Sequence, residues 1–281
     1  MKIKSILSAL LLMVSSLASA QYLNVKMEDG TIRSFKTTPN MKVSFGDKAG
    51  AEIMEPVQVV KLYKGDQVVA EYWDYEVDRV VYEELPPTTG TAKTKDNIDV
   101  NWVQLWKGGP KFAEYNVGAT SATDYGGYYT WGGTYNNNPA LEGFQWTDDH
   151  NKGESNLSRT GDNITDTATK LWGNNWRMPT NAEFKALLKN CTCTWTTQNN
   201  VNGLLCRGKE GTAFASNSVF LPAAGYCSNG SVLNQGNRGY YWSSTLYDNS
   251  YACSLYFDSL YQNDCDDRSL GYSVRAVLAE D

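Results

Sequence analysis

Histidine occurs once in this chain, at position 150, inside the polar run Thr147-Asp148-Asp149-His150-Asn151-Lys152. A serine or cysteine nucleophile needs an imidazole beside it to take its proton, and a second group to orient that imidazole. One histidine in a polar loop gives no such set. The G-x-S-x-G elbow, the phosphate-cradling P-loop and H-E-x-x-H are all absent. The sequence therefore reads as a non-enzyme with no cofactor. Six cysteines remain, at 191, 193, 206, 227, 253 and 265. Their even number fits a disulfide framework of open connectivity. Cys191 and Cys193 are not expected to bridge each other, because residues two apart on a strand lie too far apart for relaxed disulfide geometry. No paired C-x-x-C spacing supports a zinc site. Asn263-Asp264-Cys265-Asp266-Asp267 is rich in oxygen donors that calcium accepts. Adjacent residues do not all turn inward without a glycine-assisted loop, so this run is read as a solvated acidic loop and no metal is expected.

The chemistry left is non-covalent recognition, and it concentrates near the C-terminus. Between Leu246 and Tyr272 the chain has no Lys, Glu, Met or Trp and one Gln, Gln262. Tyr, Asp, Asn, Ser and Cys crowd the same stretch. Every residue there except Gln262 is reachable from an AAC codon by change at its two adenines, the palette that adenine-directed mutagenesis leaves. It is also a binder's palette: Tyr gives large rigid amphipathic area, and Ser and Asn give adaptable hydrogen bonds. Ordinary solvated loops of exported β-rich proteins share it. The candidate contact residues are Leu246, Tyr247, Asp248, Asn249, Ser250, Tyr251, Cys253, Tyr256, Asp258, Ser259, Tyr261, Asn263, Asp264, Asp266, Asp267 and Arg268. They are expected to cluster on one exposed face, between the frames Gly239–Thr245 (GYYWSST) and Gly271–Val277 (GYSVRAV).

The elements that must position this window follow from the rest of the chain. Residues 1–20 read as a secretory leader: Lys2 and Lys4, an apolar stretch from Ile6 to Val14, then Ala18-Ser19-Ala20. The apolar stretch is too short to span a bilayer. The chain is expected to be secreted or exported, in a periplasmic, outer-surface or extracellular location. Loss of Lys2 and Lys4 takes the formal charge from −6 to about −8, which disfavours nucleic acid and anionic lipid as partners. Residues 21–84 read as a small all-β module with an internal repeat. Val25-Lys26-Met27 leads to Gly30 as Val60-Lys61-Leu62 leads to Gly65, and each copy closes on a short apolar strand. Residues 85–97, opening Leu85-Pro86-Pro87-Thr88-Thr89-Gly90, read as an extended linker.

Residues 98–281 form the large domain. Strands are expected at Trp102–Trp106, Lys111–Val117, Tyr128–Trp131, Val219–Pro222, Tyr240–Ser243, Tyr251–Phe257 and Tyr272–Val277. One short helix is expected from Asp166 to Gly173. A second has Thr180 as N-cap, Glu183 completing a capping box, and Phe184, Leu187, Leu188 and Cys191 as its apolar stripe.

Leu171–Leu188 (LWGNNWRMPTNAEFKALL), Val219–Tyr226 (VFLPAAGY) and the two frames resemble the Fibrobacter succinogenes major paralogous domain, as does Phe112–Thr134. That family is similar to the C-type lectin-like fold of diversity-generating retroelement variable proteins and of formylglycine-generating enzymes. The resemblance implies an α+β C-type lectin-like domain following the β module, with Trp176 and Trp242 as core anchors and Arg177 and Arg275 tying loops. It implies ligand binding or adhesion at the cell surface, to a protein or surface glycan. A structural or adhesive component of a surface appendage is an alternative. So is a formylglycine-generating-like enzyme, although the Cys253/Cys265 spacing departs from that family's reactive pair. The Glu-Pro-Asn, Gln-Pro-Asp and Trp-Asn-Asp calcium motifs of sugar-binding lectins are absent.

Overall fold

The computed structural model describes residues 21–36, 41–47, 58–64, 67–73, 77–84, 87–153, 156–258 and 262–279. The leader at 1–20 lies outside them. Two compact units divide between Pro87 and Thr88, with 211–213 grouped with the first.

The first unit contains β1 (Gln21–Met27), β2 (Ile32–Lys36), β3 (Met41–Asp47), β4 (Gln58–Lys64), β5 (Gln67–Trp73) and β6 (Val77–Glu84). The repeat is visible as two hairpins, β1–β2 and β4–β5. The third strand of each copy crosses to the other: β6 pairs with β1, and β3 with β4. The sheets are thus β2-β1-β6 and β3-β4-β5. Val25 from one and Val60 and Leu62 from the other share a core with Val77. Neither copy can complete a sheet alone, so the pair of copies is the folding unit.

The second unit opens with β7 (Thr89–Lys93), β8 (Asp99–Gln104) and β9 (Lys111–Ala113). β7 falls in the stretch expected to be linker. Its Thr/Gly/Ala composition hides the strand, but it pairs along its whole length with β8, from Thr89↔Val103 to Lys93↔Asp99. The corrected boundary is therefore Pro87/Thr88.

Next come α1 (Thr167–Trp172), β10 (Trp176–Arg177) and α2 (Asn181–Asn190). Asp166 caps α1 through the Thr169 amide, and Gly173 ends it at φ 96°. Thr180 and Glu183 form the reciprocal capping box of α2, and Arg177 grips Glu183 with two hydrogen bonds of 2.8 and 2.6 Å. The remaining strands are β11 (Cys191–Gln198), β12 (Val201–Gly208), β13 (Ser218–Pro222), β14 (Tyr226–Ser228), β15 (Ser231–Leu233), β16 (Gly239–Leu246), β17 (Tyr251–Phe257), β18 (Gln262–Asp267) and β19 (Val277–Leu278). They build the sheets β10-β19-β9-β8-β7, β11-β12-β13, β14-β15 and β16-β17-β18.

The expected α+β class is corrected: among the described residues there are nineteen strands and two helices of six and ten residues, a largely all-β chain. The physical reason is clearest after Asn190. Cys191, expected on the helix stripe, begins β11. The Thr-rich run Thr192–Thr197 favours extended backbone. Asn199 and Asn200 take positive φ (47° and 63°), as a two-residue hairpin turn requires. Tyr128–Trp131 is reduced to one bridge, Tyr129↔Tyr272, because its hydrogen bonds go to irregular segments. Trp131 instead donates its backbone N–H to the carbonyl of Arg268.

Two large cores fill this unit, and a small third cluster joins Tyr128, Ala224 and Cys227. Trp131, Trp176, Met178, Trp242, Tyr272 and Val274 lie in one. Phe112, Phe184, Leu187, Leu221, Tyr241, Leu255 and Phe257 lie in the other. Among the described residues no helix is long and apolar enough to cross a membrane.

Candidate binding surface

The sheet β16-β17-β18 carries the Tyr/Asp-rich window, and buried polar contacts hold it. On its inner side β16 meets the back frame, with Trp242 N–H donating to Ser273 O at 3.0 Å and Ser273 N–H to Tyr240 O at 3.1 Å. The Trp242 ring stacks on Tyr272 at 4.2 Å, and its indole N–H donates to Tyr129 O at 2.9 Å. Arg275 is fully buried and donates to Asn116 Oδ1 and to the carbonyls of Ala113, Glu114 and Phe220. A guanidinium's fixed fork suits such a knot of carbonyls. These frame residues do structural work.

The candidates divide into two groups rather than one face. The first is the β16–β17 tip: Leu246 is half-buried, and Tyr247, Asp248, Asn249, Ser250 and Tyr251 are exposed. Tyr247 is 66 % and Tyr251 44 % exposed. Asp248 Oδ1 accepts from the amides of Ser250 and Tyr251, both at 2.8 Å, so the turn is tied to itself. The second group lies at the other end of β17, roughly 20 Å away at ~3.3 Å per residue. There Tyr256 is half-buried and donates to Asp258 Oδ2 at 2.6 Å. Burial and that hydrogen bond push the Tyr256 phenol up to about 12. Tyr251 and Tyr256 also sit on opposite sides of the strand, five residues apart where side chains alternate. The expectation of a single contiguous face is corrected on both counts.

Arg268 is corrected as well. It is 2 % exposed, with its guanidinium 5.3 Å from the Trp131 ring centroid. Nη1 donates to Gly153 O at 2.9 Å and Nη2 to Asn249 O. It fixes the tip from within instead of touching a ligand. Cys253 is buried too. It lies on the strand side of Leu255 and Phe257, which belong to the second core, while Ala252 on the other side belongs to the first.

The run 263–267 is not a loop. It belongs to β18, paired with β17 from Tyr251↔Asp267 to Tyr256↔Gln262. Strand alternation sends neighbouring carboxylates to opposite sides. Asp266 accepts from Ser254 Oγ at 2.9 Å, whereas Asp267 caps Ser269. Burial first, then the Asp266 carboxylate, drives the Tyr272 phenol far above its ordinary value. Of the other candidates, Asn263 and Asp264 are placed here by backbone alone, and Ser259 and Tyr261 fall outside the described residues. Among the described residues no group of three or more His, Cys, Asp or Glu gathers to hold a metal ion.

The sequence places Tyr240 in the front frame and Tyr226 in the Val219–Tyr226 motif, and gives Arg238 no role. All three surround the second group. Tyr240 sits 5.1 Å from both Tyr226 and Tyr256, and the Arg238 guanidinium lies 5.9 Å from the Tyr256 ring centroid. The cross-strand register Tyr240↔Tyr256 brings them together. The available signal was Arg238 just before β16, two positions from Tyr240.

A family model described as a domain of unknown function, DUF8237, matches residues 194–277. That span runs from β11 into β19 and contains the whole candidate surface. No curated protein and no solved structure matches the chain.

Proposed function

We propose that this chain is an exported ligand-binding protein, not an enzyme, that acts at or beyond the cell surface. Its contact site is the tip Tyr247–Tyr251, and its ligand is a protein or a surface glycan. One observation carries this reading: two exposed tyrosines project from a turn whose backbone is fixed by Asp248 and, from beneath, by Arg268. Pre-ordered aromatics spend little entropy on binding, which is how tyrosine-rich paratopes gain affinity. A chain meant only to stay soluble gains nothing from exposing two large rings on a stiffened turn. The leader at 1–20 supports export. The kinship with the Fibrobacter succinogenes major paralogous domain, and with diversified variable proteins, belongs to the same proposal and rests on the motifs.

The test uses the chain from Gln21 onward, immobilised and read against a printed oligosaccharide array and a displayed peptide library. Binders are expected on one panel. The Tyr247→Ala/Tyr251→Ala double variant should weaken them by about tenfold or more, as losing central aromatic anchors does, with an unchanged melting temperature. Binders indifferent to that double change, or two empty panels, would remove the tip as the site.

A further inference from the structure

The geometry points to Cys253 and Cys265 as a covalent modification site: a second cross-strand disulfide that locks β18 onto the sheet carrying the tip. The two residues are direct partners in the β17–β18 register. Their Sγ atoms stand 3.0 Å apart, twelve residues apart in sequence. The chain already uses this device once. Cys193 and Cys206 face each other in the β11–β12 register and are joined, thirteen residues apart with Cα atoms 4.0 Å apart. Neither Cys191 nor Cys227 stands opposite another cysteine in a described strand pair.

The lock has a mechanical purpose. Among the described residues β18 is an edge strand of its sheet and pairs with β17 alone. Its Tyr251↔Asp267 end adjoins the tip, and the next residue is Arg268, which reaches the tip carbonyl of Asn249. Fraying of β18 would therefore loosen the clamp under Tyr247 and Tyr251. A bond at Cys253–Cys265, two registers from that end, stops it.

The chemistry balances with an external disulfide as oxidant, either an oxidised low-molecular-weight thiol or a dithiol oxidoreductase. Cys265, the more accessible of the two, loses its proton. Its thiolate attacks the oxidant's disulfide, giving a mixed disulfide and releasing one oxidant thiolate. The Cys253 thiolate then attacks the Cys265 sulfur, closing the bridge and expelling the second thiolate. Two electrons pass to the oxidant, and the two protons lost by the cysteines are taken up by its thiolates or by solvent.

The pairing rests on geometry and is independent of whether the tip binds a ligand. To test it, the chain from Gln21 onward is equilibrated with oxidised and reduced glutathione, denatured, alkylated without reduction, and mapped by mass spectrometry. At oxidising ratios a cross-linked peptide joining Cys253 to Cys265 is expected, with Cys191 and Cys227 alkylated. Amide exchange in β18 should be about tenfold or more slower in this form than in Cys253→Ser/Cys265→Ser. Alkylation of both Cys253 and Cys265, or glutathione held on Cys265 with no closure, would overturn the proposal. So would a cross-link that leaves β18 exchange unchanged.

Discussion

Replacing Arg268 separates a scaffold role from a contact role. Its guanidinium donates to two loop carbonyls, Gly153 O and Asn249 O, and lies against the Trp131 ring. A hydrogen bond to a charged group contributes ~1.5–3 kcal/mol net. A desolvated cation–π contact contributes about 2 kcal/mol. Water entering the vacated space restores part of what the carbonyls lose, so Arg268→Ala should cost about 3–5 kcal/mol. For a unit of this size that lowers the melting temperature by on the order of 10 °C. Arg268→Lys should recover little, because one ammonium cannot fork to carbonyls on two different loops. Tyr247→Ala, at a 66 % exposed site, should stay within about 0.5 kcal/mol of the parent. Urea melts of the four proteins, compared at constant m, provide the measurement. If Arg268→Ala melts with the parent while Tyr247→Ala melts early, the assignment of clamp and contact is reversed.

Cys193→Ala/Cys206→Ala opens a closed loop of about 14 residues, which should cost ~3 kcal/mol by loss of chain constraint, read as a lower urea midpoint. Burial alone would raise the Glu183 carboxyl, but the Arg177 guanidinium and the Thr180 N–H outweigh it and hold it below its ordinary value. A carboxyl depressed in the folded state contributes stability at neutral pH and loses it as pH falls through the folded value. Parent melting temperature should therefore drop below the usual carboxylate range more steeply than that of Glu183→Gln, and parallel curves would refute the coupling. A chain beginning at Thr88 should unfold in one cooperative transition. One beginning at Lys95 lacks β7 and its five paired positions and should melt at lower temperature; equal midpoints would show that strand to be dispensable.

Local signals in this sequence settled local structure. Thr180 with Glu183, and Asp166 with Gly173, bound α2 and α1, because caps act over three or four residues. The strand expected at Tyr251–Phe257 coincides with β17. The 35-residue offset between Val25 and Val60 revealed two copies, and the crowding of Tyr and Asp after Leu246 located the tip. What the copies do with their third strands was decided only by tertiary pairing: β3 and β6 are each exchanged, since a core forms only between two complete sheets. Burial of Arg268 was equally hidden. Charge predicts exposure, and only Trp131 beneath it and carbonyls from two distant loops make an interior position tolerable. The meeting of Cys253 with Cys265, and of Tyr240 with Tyr256, depends on register, which no residue announces alone and which a slip of one position would abolish.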